Sequence, residues 1–118
     1  MAKTSKKDFE SFQTEAGDWI ETFGLKSWDV IFTHKEDKDS LASCIAESAS
    51  RFAILNLSTS NFTETEVRSE SVRKAAFHEV CELLMWEITT LLRVFFSEDV
   101  VNKKTHEVIV TLENAVFE

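Results

Sequence analysis

The stretch over residues 72–92 constrains this chain more than any other. Its apolar residues fall at Val72, Ala75, Ala76, Val80, Leu83, Leu84, Ile88, Leu91 and Leu92. That three-and-four spacing marks one face of a helix. The chain contains no proline, so nothing covalent stops one long helix from running to Phe95 or Phe96. Thr63-Glu64-Thr65-Glu66 has the form of a capping box, and Ser69 offers a second start. A buried helix of this length must be covered by other layers.

The rest of the chain supplies candidates for those layers. Phe9, Phe12, Ala16, Trp19, Ile20 and Phe23 lie on one helical stripe. Gly24 is placed to end that helix in the left-handed conformation. Trp28-Asp29-Val30-Ile31-Phe32-Thr33-His34 is β-branched and aromatic, hence a strand, and residues 35–39 are a charged turn. Residues 41–47 and 51–57 read as two more strands, with Ala49 and Ser50 near the turn between them. Alternation in the last strand is imperfect, running through Phe52 and Ile54 and then shifting to Leu55 and Leu57. After the long helix, Ser97-Glu98-Asp99 forms a loop before a last helix carrying Ile109, Leu112, Val116 and Phe117. The predicted order is α-β-β-β-α-α. This is an α+β fold, a small mixed or antiparallel sheet packed on the long helix. Residues 1–8 are expected to be flexible and residues 9–118 to form one domain.

Composition narrows the function. The net charge is -8, which argues against a nucleic-acid groove or an anionic membrane surface as partner, because both require clustered Lys and Arg. No apolar run is long enough to span a bilayer. The first seven residues are basic but lack the apolar core of a secretion signal, so a cytoplasmic location is expected. Ten Phe, three Trp and no Tyr make the aromatic content a matter of packing. Cys44 and Cys81 lack metal-type spacing and read as free core thiols in a reducing compartment.

Chemistry concentrates at His78-Glu79-Val80-Cys81-Glu82. On a helix, His78 and Glu82 are four apart and stack on one face. Two donors on one rigid face can hold a metal with little ordering cost. Glu79 is turned about 100° away, where its carboxylate could reach a metal-bound water without ligating the metal. The zinc-peptidase motif H-E-x-x-H uses this arrangement; here Glu82 stands where the second His would be. A carboxylate donor lowers the Lewis acidity of the ion and widens the choice of metal beyond zinc. A third donor must come from the last helix. His106, three residues before Ile109, is the choice, Glu107 the runner-up and Glu113 a weaker candidate. His34 reads as a surface residue. The competing account is an ordinary His78–Glu82 helical pair with Glu79 in solvent.

At these residues the chain resembles the minimal zincin, or gluzincin-like, metallopeptidase domain. More narrowly it resembles short metallopeptidase-type proteins encoded in bacteriophage genomes. The likeness runs through Trp28-Asp29-Val30, Ala53-Ile54-Leu55-Asn56-Leu57-Ser58, Val72-Arg73-Lys74-Ala75-Ala76-Phe77-His78-Glu79 and His106-Glu107-Val108-Ile109. It implies a zinc ion, or another divalent metal, held by His78, Glu82 and His106, with Glu79 as general base. It also implies a peptide or protein substrate laid along the sheet edge, that edge being residues 51–57 or the neighbouring strand. A host cytoplasm would be the setting of a phage-encoded member.

Three functions therefore stand as expectations. The first is a metal-dependent peptidase. The second is a catalytically inactive zincin-like binding or regulatory protein. The third is an acidic helical assembly module using Phe95, Phe96 and Phe117 for oligomer contacts. Aromatics at helix ends more often belong to the core, which favours the first two.

Overall fold

Helix α1 (Lys6–Thr22) starts where two polar side chains close a ring. The Ser5 hydroxyl accepts from the Asp8 amide at 3.1 Å, and the Asp8 carboxylate accepts from the Ser5 amide at 2.8 Å. This capping box satisfies two amides that the first turn leaves unpaired. The computed structural model describes residues 3–60 and 69–117; the capping box expected at 63–66 lies outside them. The N-terminal segment, expected to be loose as far as residue 8, is tied down from Thr4 onward. Thr4 is buried, its amide donates to the Thr59 carbonyl at 3.1 Å, and its hydroxyl donates to the Ser58 carbonyl at 2.6 Å. Gly24 has φ +70, the left-handed stop anticipated for α1.

Three strands follow: β1 (Asp29–His34), β2 (Ala42–Glu47) and β3 (Phe52–Leu57). Their order is β1-β3-β2, with β1 parallel and β2 antiparallel to β3. The sheet is therefore mixed. β3 is its central strand, which corrects the assignment of residues 51–57 to the edge; the neighbour β2 is an edge instead. β3 alternates strictly. Ala53, Leu55 and Leu57 are buried, while Phe52, Ile54 and Asn56 point the other way. The sequence pattern is blurred because both faces of the strand carry large apolar residues, Phe52 and Ile54 on one and Leu55 and Leu57 on the other, with small Ala53 on the buried face. The β2–β3 turn ends at Arg51, whose φ of 54 is unusual for a non-glycine. Its guanidinium is held by Ser27, by Glu87 and by the face of Trp28 at 4.1 Å.

The long helix is divided. α2 (Ser69–Leu84) and α3 (Trp86–Phe95) meet at Met85, and α4 (Glu98–Phe117) closes the chain. The Met85 amide still donates to the Cys81 carbonyl, and the Thr89 amide to the Met85 carbonyl. Neither proline nor glycine stands at the break, so the sequence carries no stop signal there. The Ser97 hydroxyl caps α4 by accepting from the Val100 amide at 3.3 Å. Helix α4 therefore begins inside the predicted loop.

α1 and α2 cover one sheet face. Phe12 and Ala16 pack with Ala42, Leu55, Leu57, Val72, Ala76 and Val80. On the far side of α2, Phe77 and Cys81 pack against Ile109 of α4, with Trp19, Phe23 and Phe117 around them. α2 thus lies between the sheet and α4, and both of its long faces are used. α3 is different. Ile88, Leu91 and Leu92 are exposed, as are Phe95 and Phe96. The core role expected for these residues is overturned, because the break at Met85 carries α3 away from the sheet. Phe117 does pack, edge to face on Phe77 at 5.6 Å.

Candidate functional site

His78 projects from the middle of α2 and is half-buried. Its Nε2 faces the Glu82 carboxylate at 3.9 Å, the partner one turn on. Its Nδ1 meets the Glu113 carboxylate of α4 at 3.3 Å. The His106 ring, also on α4, lies 5.7 Å from the His78 ring, centre to centre, and is exposed to solvent. His106 and Glu113 are seven apart, two helical turns, which puts both on the face that meets α2. Glu107, the runner-up, pairs with Lys104 at 3.4 Å on exposed surface and is not among the groups around His78. Glu113, the weakest of the three α4 candidates by sequence, is the one bonded to His78.

Glu79 is only 8% exposed. The account that puts it in solvent is therefore wrong. Its pKa is pushed up to about 8, first by burial, then by the charges of Glu82, Glu113 and Asp37. Removal from water disfavours the ionised form, and nearby like charges add to the effect. The two thiols respond to the same surroundings. Cys44 on β2 is shifted upward by burial and then by Glu79 and Glu82. Cys81 is pushed up to about 12 by burial, then by Glu113, Glu82 and Glu79. Both cysteines are free and behave as packing residues, as expected from their positions.

A cleft of about 330 Å³ opens between the start of β2 and α2. Leu41 and Ala42 form its strand side, and Lys74, His78 and Glu79 its helix side, with Glu113 at the end. Glu82 and His106 stand outside this lining. Lys74 was missed in the sequence, although it lies one turn before His78 and so on the same helix face. It brings a positive charge to a cleft that also holds the carboxyl groups of Glu79 and Glu113. His34 is also not the surface residue expected. It stacks on Phe9 at 4.9 Å, and its Nε2 lies 2.7 Å from the Thr4 hydroxyl. That hydroxyl gives its proton to Ser58, so Nε2 is the donor.

Two donors on a tetrahedral zinc, each roughly 2.0–2.2 Å from the ion, are separated by about 3.3 Å. The 3.9 Å between His78 Nε2 and Glu82 Oε1 is near that spacing. The contact of Glu113 with Nδ1 has the form of the outer hydrogen bond that would orient an imidazole if it ligated a metal. Among the described residues, however, no three His, Cys, Asp or Glu side chains are gathered as a metal site. The fit is thus two donors and an orienting carboxylate, with the third donor not converged. No protein-family profile, curated protein or solved structure matches the chain.

Proposed function

We propose that this chain is a metal-dependent peptide hydrolase of zincin type. The observation that carries the reading is His78, held on Nδ1 by Glu113 and turned on Nε2 toward Glu82, beside buried Glu79 in a cleft bordered by an edge strand. His78 and Glu82 would hold the ion, and His106 would supply the third donor. When bound, the metal provides a Lewis acid and makes water nucleophilic near neutral pH. With a cation bound, the like charges and burial that hold the Glu79 proton would be offset, so that the ionised carboxylate could take a proton from the attacking water and return it to the leaving amine. Among the described residues the outer edge of β2 has no strand partner, and its backbone groups would bind an extended peptide with little regard to its side chains. Lys74 faces the same cleft and, among the described residues lining it, supplies a cationic side chain for a developing oxyanion. A cation here also offsets the repulsion among Glu79, Glu82 and Glu113.

The test is elemental analysis of protein purified without chelator, followed by cleavage of a library of unstructured peptides. About one equivalent of divalent metal is expected. Glu79→Gln should retain the metal and lose cleavage by at least 100-fold. Metal-free protein with an intact fold overturns the reading.

A second reading follows from the exposed position of His106 and the missing third donor. In it the cleft binds a peptide strand along β2 without hydrolysis. Peptide binding that survives His78→Ala unchanged would favour it over the first.

A further inference from the structure

The α3–α4 hairpin turns an apolar surface away from the rest of the molecule. On α3, Ile88, Leu91, Leu92 and Phe95 follow the spacing of one helix stripe. All four are exposed, Ile88 by 61%, Leu91 by 62% and Phe95 by 75%. Thr89 is the one α3 residue that is buried. A groove of about 340 Å³ runs between the two helices, lined by Ile88, Leu92 and Phe96 on one side and by Val100 and Val108 on the other. Among the described residues that line it, Lys104 is the single charged one. The exposed apolar side chains of the hairpin present on the order of 800 Å², about what one partner contributes to a stable interface and more than a lone surface usually leaves in water.

We infer that this chain pairs with a second copy of itself through the α3–α4 hairpins, two helices from each copy forming a four-helix bundle. Charge favours this occupant. The chain carries -8 overall, which would drive two copies apart on most faces. The hairpin is the exception. From Met85 to Val108, Arg93, Lys103 and Lys104 stand against Glu87, Glu98, Asp99 and Glu107. The acidic excess lies elsewhere, so this face can meet its own copy without strong repulsion.

Shape points the same way. A two-fold contact joins one patch to itself, so that patch needs both a projection and a recess. Phe95 projects beside the groove without lining it, and the groove has room for a phenyl ring. Phe95 of one copy seats in the groove of the other, and the reciprocal contact forms at once. The α2 site lies on the other side of α4 and stays open in such a dimer.

Sedimentation equilibrium of the wild-type chain from low-micromolar to several hundred micromolar concentration tests this. The expected mass is twice the 13.5 kDa of one chain. Leu91→Lys and Phe95→Glu should each weaken association at least tenfold with unchanged helical circular dichroism, because both positions are exposed in the single chain. Ile45→Lys, on the exposed sheet face, should leave the dimer intact. In the wild type, hydrogen exchange over residues 86–108 should slow as concentration rises, a readout that requires no variant. A single-chain mass at every concentration overturns the proposal and would point to a different protein, or a lipid surface, as the occupant. A dimer that persists in both hairpin variants, or protection confined to other segments, also overturns it.

Discussion

At His78 the two ring nitrogens have different neighbours, and that difference is what the site can use. Glu113 faces Nδ1 at 3.3 Å and Glu82 faces Nε2 at 3.9 Å; with Nδ1 donating to Glu113, Nε2 would be the nitrogen available to a metal. A freely rotating imidazole would first have to be ordered before it could ligate. Glu113→Ala should therefore weaken zinc binding by about 10- to 100-fold, measured by competition with a coloured chelator. Unchanged affinity would remove Glu113 from the orienting role. The neighbouring Glu79 shows the cost of the arrangement. Its carboxyl is removed from water and surrounded by like charge, so its proton is held well above the usual carboxylate range. The motif spelled out the residue types at 78, 79 and 82. It did not reveal that Glu79 is buried, because that depends on β2 and α4 closing over α2.

Among the elements, β1 and α1 are joined at their outer ends by His34. It stacks on Phe9, donates to Thr4, and so ties the first turn of α1 to the sheet. Burial lowers its pKa from 6.5, against a smaller upward pull from Asp8. A lowered histidine pKa means the unfolded chain binds the proton more readily than the folded one. The stabilisation is full above the unfolded value and is lost as pH falls through 6.5 toward the folded value. Hydrogen-exchange protection factors in residues 6–10, corrected for the intrinsic pH dependence of exchange, should fall between pH 7 and pH 5 more than in α2, and His34→Gln should flatten that response. Equal pH responses in the two helices would count against the linkage. Most element positions were legible, since the α1 stripe, Gly24 and the three strands all follow from local spacing. The break at Met85 was not. Its dihedrals, φ -90 and ψ -2, are within reach of any residue, and periodicity runs across it undisturbed.

Over the whole molecule, Phe77 is the hinge-point of packing. Its ring meets Trp19 of α1 at 4.8 Å, Phe23 just after α1 at 6.3 Å, and Phe117 of α4 at 5.6 Å. One fully buried side chain therefore connects the sheet-covering layer to the last helix. Phe77→Ala should cost about 3–5 kcal/mol of stability in urea unfolding. It should also loosen α4 before the sheet, because α4 has fewer other anchors. A loss under 1 kcal/mol with concerted unfolding would contradict this. The same layering explains the exposed hairpin. Once α4 has covered the far side of α2, no element among the described residues is left to cover α3. The sequence by itself determined which residues are apolar, their period, the stop at Gly24 and the His-Glu-x-x-Glu spacing, because each depends on neighbours within a few positions. Only the tertiary structure decided that β3 is central, that Glu113 and not Glu107 meets His78, and that α3 faces outward. Those outcomes depend on which surfaces, distant along the chain, compete to cover one another.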